Sequence, residues 1–106
     1  ATFNMPYIKS EYDDLDKYQY NGNSIYYYKK NTDIQHNPYG PACTDKNGYK
    51  AYFIEGKLHR LDGPAVIWSN GDKEYCINNQ YLTPEEFEIH PERLKFLRKE
   101  HLACLV

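Results

Sequence analysis

Cysteine is scarce in this chain and poorly spaced for chemistry. The 106 residues include three, Cys43, Cys76 and Cys104. No two form a C-x-x-C pair, so neither a zinc ribbon nor a redox dithiol is written here, and the odd number argues against a closed disulfide framework. An excess of one charge is also missing. Thirteen Lys and Arg oppose fifteen Asp and Glu, for a formal net charge of -2, which gives no general attraction to nucleic acid or anionic lipid. No run approaches the roughly 20 apolar residues of a membrane helix, and no basic segment followed by an apolar one opens the chain as a secretory leader would. G-x-S-x-G and P-loop patterns are absent. His36, His90 and His101 stand at no metal-type spacing. These absences lead to the expectation of one soluble, cytoplasmic, non-enzymatic domain with reduced thiols, no cofactor and no metal, for which membrane attachment is not expected and nucleic acid is an unlikely partner.

Tyrosine is what the chain has in quantity: twelve, against four Phe and one Trp. Hydrophobic residues make up 41%, too many for a disordered chain. Tyr has an apolar body and a polar tip, so it suits both a half-buried sheet and a binding surface.

Residues 36–58 lie over 59–82 at a fixed offset of 23. His36 matches His59, Gly40-Pro41-Ala42 matches Gly63-Pro64-Ala65, and Asn47-Gly48 matches Asn70-Gly71. Lys50, Tyr52 and Ile54 match Lys73, Tyr75 and Ile77, and the Glu55-Gly56 turn has its counterpart in Asn78-Asn79. Asn-Gly between apolar runs predicts a two-residue type I′ hairpin. With that turn at the tip, Trp68 faces Lys73, Val66 faces Tyr75 and Cys43 faces Tyr52. The core face is then Val66, Tyr75 and Ile77 with Cys43, Tyr52 and Ile54, while Thr44, Ala51, Phe53, Ile67, Glu74 and Cys76 form a mixed outer face. A third, imperfect copy is read in 17–22, where Tyr18 and Gly22 match Tyr52 and Gly56, and residues 24–33 read as a strand.

From Thr83 the pattern becomes helical. Thr83 is an N-cap, Pro84 the first helical residue and Glu86 the partner in a capping box. Pro91 opens a second helix whose Leu94, Leu97, His101 and Leu105 recur on one face, expected to pack on the sheet or on a partner. The predicted fold class is mainly β (α+β): stacked antiparallel β-hairpin repeats in one twisted sheet with a C-terminal helical segment. The predicted layout is a single domain, with an N-terminal cap at 1–16, hairpin repeats at 17–82 and helices at 83–106.

The 23-residue unit, with "LHRLDGPA", then "NG", then "YCINNQYLTPEEF", resembles the MORN repeat, in the H-R-x-D-G-P-A variant found in bacteriophage and large-virus proteins. The resemblance covers about residues 17–90. It implies a small, virus-encoded repeat module for protein contacts, in the cytoplasm of a host cell. The earlier unit departs from the motif: Asn37 and Tyr39 stand where His59's unit has Arg60 and Asp62. The family's lipid attachment does not suit the low net charge.

His59, Arg60 and Asp62 have the composition of an acid–base or phosphate site. Because the surrounding turn is copied, the structural reading of His36, Gly40, Pro41, His59, Asp62, Gly63 and Pro64 as a hairpin-to-hairpin turn is preferred, with Asp62 in an Asx-type turn. Glu11, Asp13, Asp14 and Asp16 could imitate phosphates or simply be solvated. Tyr26, Tyr27 and Tyr28 put rings on both faces of a strand, where rings serve contact surfaces. With Phe53, Arg60 and Trp68 they complete the candidate partner-binding set. The expected function is a binding protein that modulates, most directly inhibits, a host or viral protein. The alternatives are a self-associating homo-oligomeric scaffold, and a small-ligand or nucleotide-sequestering protein using Tyr and Arg60 around a pocket.

Overall fold

The computed structural model describes residues 6–21 and 23–104. Gly22, used above in the third copy, and Leu105, placed on the helix face, lie outside them, as does the side chain of Cys104. The strands are β1 (Tyr7–Ile8), β2 (Leu15–Tyr20), β3 (Ser24–Lys29), β4 (Cys43–Thr44), β5 (Lys50–Ala51), β6 (Phe53–Ile54), β7 (Lys57–Leu58), β8 (Val66–Ile67), β9 (Lys73–Ile77) and β10 (Gln80–Leu82). Two helices follow, α1 (Pro84–Glu88) and α2 (Pro91–Cys104). Among the described residues, eight strands form one antiparallel sheet in the order β1-β2-β3-β4-β5-β8-β9-β10, with β6 and β7 as a separate ladder. The leader contributes an edge strand, β1 against β2. Neither helix is long and apolar enough to cross a membrane.

The hairpin tips differ from expectation by one residue. Val66 pairs with Glu74 and Ile67 with Lys73, and Trp68 N–H donates to the Asp72 carbonyl at 2.8 Å. The loop is therefore Ser69-Asn70-Gly71, a three-residue connection with only Gly71 at positive φ, +93°. The earlier hairpin does the same. Cys43 pairs with Ala51, Asp45 N–H donates to the Tyr49 carbonyl, and Gly48 has φ +94°. Three-residue loops ending in a left-handed glycine are the next choice after two-residue turns. Local side-chain bonds favour them here: Asp45 Oδ1 accepts from Asn47 and Tyr49 N–H, and Asn70 Oδ1 from Asp72 N–H. The two-residue turns fall instead at Glu55-Gly56 and Asn78-Asn79, where all four residues have positive φ.

A one-residue change of register exchanges the two faces. The expected core face is therefore corrected. Cys43, Ala51, Val66, Glu74 and Cys76 share one face, and Tyr75 and Ile77 lie on the other. Cys76, assigned to the mixed outer face, is fully buried, whereas Tyr52, Ile54 and Tyr75 are half-buried.

Bonds recur at the same offset of 23 as the sequence matches. Ala42 N–H donates to the Ala51 carbonyl and Ala65 N–H to that of Glu74, Asn37 N–H to Phe53 and Arg60 N–H to Cys76, and Gly56 N–H to Gln35 and Asn79 N–H to Leu58. Ala42 and Ala65 are both fully buried. The histidines match as well. The Nδ1 of His36 accepts from Glu55 N–H at 2.9 Å, and that of His59 from Asn78 N–H at 3.1 Å. Each imidazole holds the first residue of a left-handed turn, a conformation that costs a non-glycine residue on the order of 1 kcal/mol or more.

At the C-terminus the capping box forms: Glu86 N–H donates to Thr83 Oγ1 and Thr83 N–H to Glu86 Oε1. Phe87, 1% exposed, packs on Tyr75. His90 Nδ1 accepts from Glu92 N–H at the start of α2. Leu94, Leu97 and Leu102 of α2 are exposed, so this face does not pack on the sheet. The helix docks through Arg93 instead. Its guanidinium lies over the Phe87 ring at 4.6 Å and donates to the Leu61 carbonyl at 2.7 Å.

The His59 cap makes stability depend on pH. Protonation turns Nδ1 into a donor and ends the bond. Burial, with His90 nearby, holds the folded pKa of His59 below 6.5 despite Glu92, so the unfolded chain takes the proton first. Stability is therefore full above about pH 6.5 and declines as pH falls through the folded value, by at most about 1.4 kcal/mol per pH unit from this residue. Urea unfolding at pH 7.5 and 5.5 should show the loss, and His59→Asn, which keeps an acceptor but does not titrate, should reduce it.

Candidate functional site

Two features stand apart from the packed interior. One is a cleft at the turns that precede the hairpins. The other is a sheet face.

The cleft is a cavity of about 470 Å³ between the 37–41 turn, the 59–62 turn and Phe96 of α2, with Tyr52 and Ile54 also on its wall. Arg60 dominates it and is heavily engaged. Its guanidinium stacks over the Tyr52 ring at 4.0 Å, Nε–H donates to Asp62 Oδ1 at 2.8 Å, and Nη1–H donates to the Pro64 carbonyl at 3.1 Å. A Cβ on Gly63 would stand 3.0 Å from Arg60 Cζ, so the guanidinium lies close on the backbone there. The earlier turn meets the same need with a different residue. Asn37, 5% exposed, donates from Nδ2 to the Pro41 carbonyl at 3.0 Å and accepts Tyr39 N–H on Oδ1. Asn37 thus supplies the carbonyl donor that Arg60 supplies in the second copy, and sequence reading missed it. The shared position, four residues before the bonded carbonyl in both units, was its signal. With its charge balanced by Asp62 and its π face on Tyr52, Arg60 is a turn builder before it is a phosphate receptor.

The sheet face follows from the register. Tyr7 pairs with Tyr18, Tyr18 with Tyr26, Tyr26 with Cys43, Cys43 with Ala51, Ala51 with Val66, Val66 with Glu74, and Cys76 with Tyr81. Directly paired residues share a face and alternate residues rejoin it. Tyr28, Tyr49 and Trp68 therefore belong there too. Tyr18 meets Tyr7 and Tyr28 edge-on at 5.5 and 5.6 Å, and Tyr49 meets Trp68 at 5.3 Å. The floor between these rings is small and buried: Cys43, Ala51, Val66 and Cys76. Tyr7, Trp68 and Tyr81 are 54%, 45% and 60% exposed. Trp68 Nε1–H donates to Glu74 Oε2 at 3.2 Å. Burial raises the phenol pKa values of Tyr26, Tyr28, Tyr49 and Tyr81, and the acids beside them, Asp33, Asp45 and Glu74, add to it. These phenols are neutral hydrogen-bonding groups at pH 7. Burial likewise raises the thiols of Cys43 and Cys76 to about 11, which keeps both inert.

The sequence candidates separate across these features. Tyr26, Tyr28 and Trp68 meet on the aromatic face. Tyr27 points the other way, is buried, and donates to Glu11 Oε1 at 2.8 Å. Tyr39 stacks on Tyr12 at 4.4 Å and donates to Asp14 Oδ2. Glu11 also pairs with Lys17. Asp16 is buried, with Oδ2 accepting Asn31 N–H and Oδ1 facing Lys30 Nζ at 3.3 Å, and the Asn31 bond leads in holding its carboxyl below the usual range. Of the four acids, Asp13 is exposed and Asp16 is spent inside the fold. Phe53 is half-buried in the β6–β7 ladder. Tyr7, Tyr18, Tyr49, Glu74 and Tyr81 were not among the candidates, and only the correct hairpin register reveals them. Among the described residues no cluster of three or more His, Cys, Asp or Glu could hold a metal ion.

No family model, curated protein or solved structure matches the chain.

The turn assignment can be measured. Arg60→Ala removes a ring stack and a charged bond to a carbonyl, and should cost about 1–3 kcal/mol in urea unfolding. Arg60→Asn, which restores the residue used at position 37, should recover part of that loss.

Proposed function

We propose that the chain is a small protein-binding module, a stack of hairpin repeats whose aromatic sheet face is the contact surface, and that it acts by covering a host or viral protein and modulating it, most directly by inhibition. The observation that carries this reading is the aromatic face itself. Tyrosine and tryptophan rings stand in contact across the sheet, half-exposed over a floor of small buried side chains, and α1 docks on the other side, through Phe87 on Tyr75. Rings of this kind give large contact area for little lost conformational freedom and hydrogen-bond at their tips, which is why they dominate contact hot spots. The bonds and identities recurring every 23 residues support the stacked-repeat description. The resemblance of "LHRLDGPA" to repeat units of bacteriophage and large-virus proteins supports an accessory, virus-encoded role.

A photo-crosslinking residue tests this in the cell that expresses the protein. Placed at 49 or 81, on the aromatic face, it should yield a discrete adduct with one protein. Placed at 50 or 73, on the opposite face, it should not. An adduct with a second copy of the chain would support self-assembly instead. Equal yields from both faces, or none from a folded variant, would exclude the aromatic face as the contact surface.

A further inference from the structure

The charges of the sheet are sorted by face. The eight strands of the large sheet carry six charged residues: Lys17, Lys29, Lys50, Lys73, Asp16 and Glu74. Lys17 pairs with Tyr27, Lys29 with Leu15, and Lys50 and Lys73 both with Ile67. All four lysines therefore lie opposite the aromatic face, and both acids lie on it. Strand alternation adds Asp45 and Asp72, which flank Tyr49 and Trp68 at the hairpin tips. Lys30, just after β3, is held by Asp16 at 3.3 Å. A face of tyrosine rings edged by Asp45, Asp72 and Glu74, with the strand lysines turned away, has the chemistry of a receptor for cations. Arginine and lysine stems lie flat on aromatic rings, and their head groups reach carboxylates at the rim. A phosphate backbone would meet carboxylates without compensating cations.

From this sorting, and resting on the reading of this face as a protein contact surface, we infer that the partner is a protein presenting an arginine- and lysine-rich segment, which lies across the strands from Tyr81 towards Tyr18. The seven strands from β10 to β2, spaced about 4.8 Å apart, span about 29 Å, the length of an extended segment of about nine residues.

The probe is a ten-residue peptide of alternating Arg and Ala, titrated into the full chain at low salt with backbone amide shifts as readout, beside its Glu-Ala counterpart and a ten-nucleotide uridine RNA. The expected result is shifts confined to the strands of the large sheet from β2 to β10 and their hairpin tips with the Arg peptide alone, weakening as salt is added. Glu74→Lys combined with Asp72→Lys should raise Kd at least tenfold. Asp72→Lys alone, at an exposed position, should raise it severalfold and serves if the double variant does not fold. Lys50→Glu and Lys73→Glu should leave Kd within twofold. Overturning results are an Arg peptide that binds no better than the Glu peptide, shifts on the lysine face, an unchanged Kd in Asp72→Lys, or RNA binding at the aromatic face. If any of these occurs while crosslinking from positions 49 and 81 persists, the surface stands and the basic partner falls. Loss of both removes the surface as well.

Discussion

The loops closed by Gly48 and Gly71 hold one residue more than a two-residue turn, and the side chains of the central sheet take their faces from that count. With Trp68 opposite Asp72, Glu74 rises beside the indole and accepts its N–H, Tyr49 meets Trp68, and Lys50 and Lys73 turn away. Were the loop one residue shorter, Lys73 would face Trp68 and the lysines would share the face of the rings. The aromatic surface and its acidic rim are thus one consequence of hairpin geometry, since a ladder has no intermediate register in which to compromise.

Much of this architecture was legible in the sequence. The offset of 23, the turn at Gly-Pro-Ala, the left-handed pairs at Glu55-Gly56 and Asn78-Asn79, and the capping box at Thr83 all rest on short-range chemistry that a linear reading can see. The register did not. Asn-Gly is the strongest two-residue turn signal, but Asp45 and Asn70 each bond their own loop's backbone and bring an extra residue into it. The way Glu55 tolerates a φ of +51° was equally hidden. Its N–H is held by an imidazole 19 residues earlier, and its carboxylate by Lys29, 26 residues earlier. Contacts at such separations leave no local pattern. Arg93 is a further case: its guanidinium pins α2 to the Leu61 carbonyl and to the Phe87 ring of α1.

The turns show how two unlike residues can serve one atom. The Pro41 and Pro64 carbonyls each need a donor four residues upstream, and Asn37 and Arg60 both supply it. What Arg60 adds, the Tyr52 stack and the Asp62 pair, stiffens the second turn. Because His59 gives its Nδ1 to Asn78 N–H, as His36 gives its own to Glu55, the constellation that most resembled an active site is committed to backbone support.

Comparing the two copies face by face indicates where function is free to reside. On the face opposite the rings, Lys50, Tyr52 and Ile54 recur as Lys73, Tyr75 and Ile77, with only Thr44 and Ile67 differing. On the ring-bearing face, Cys43, Asp45, Tyr49 and Ala51 correspond to Val66, Trp68, Asp72 and Glu74, and no pair is alike. Positions that serve the same packing in each copy keep the same residue, because each copy meets the same physical demand. Positions that differ in every copy meet demands that are not internal to the hairpin. Val66 can replace Cys43 on volume alone, since both are small and apolar. Trp68 for Asp45, Asp72 for Tyr49 and Glu74 for Ala51 change charge and size together, with Ala51 buried and the other five side chains exposed or half-buried. Asp45 serves its own loop by accepting Asn47 and Tyr49 N–H, but hairpin folding supplies no reason for the other exchanges, whereas a partner that touches each copy at a different point of its own surface does.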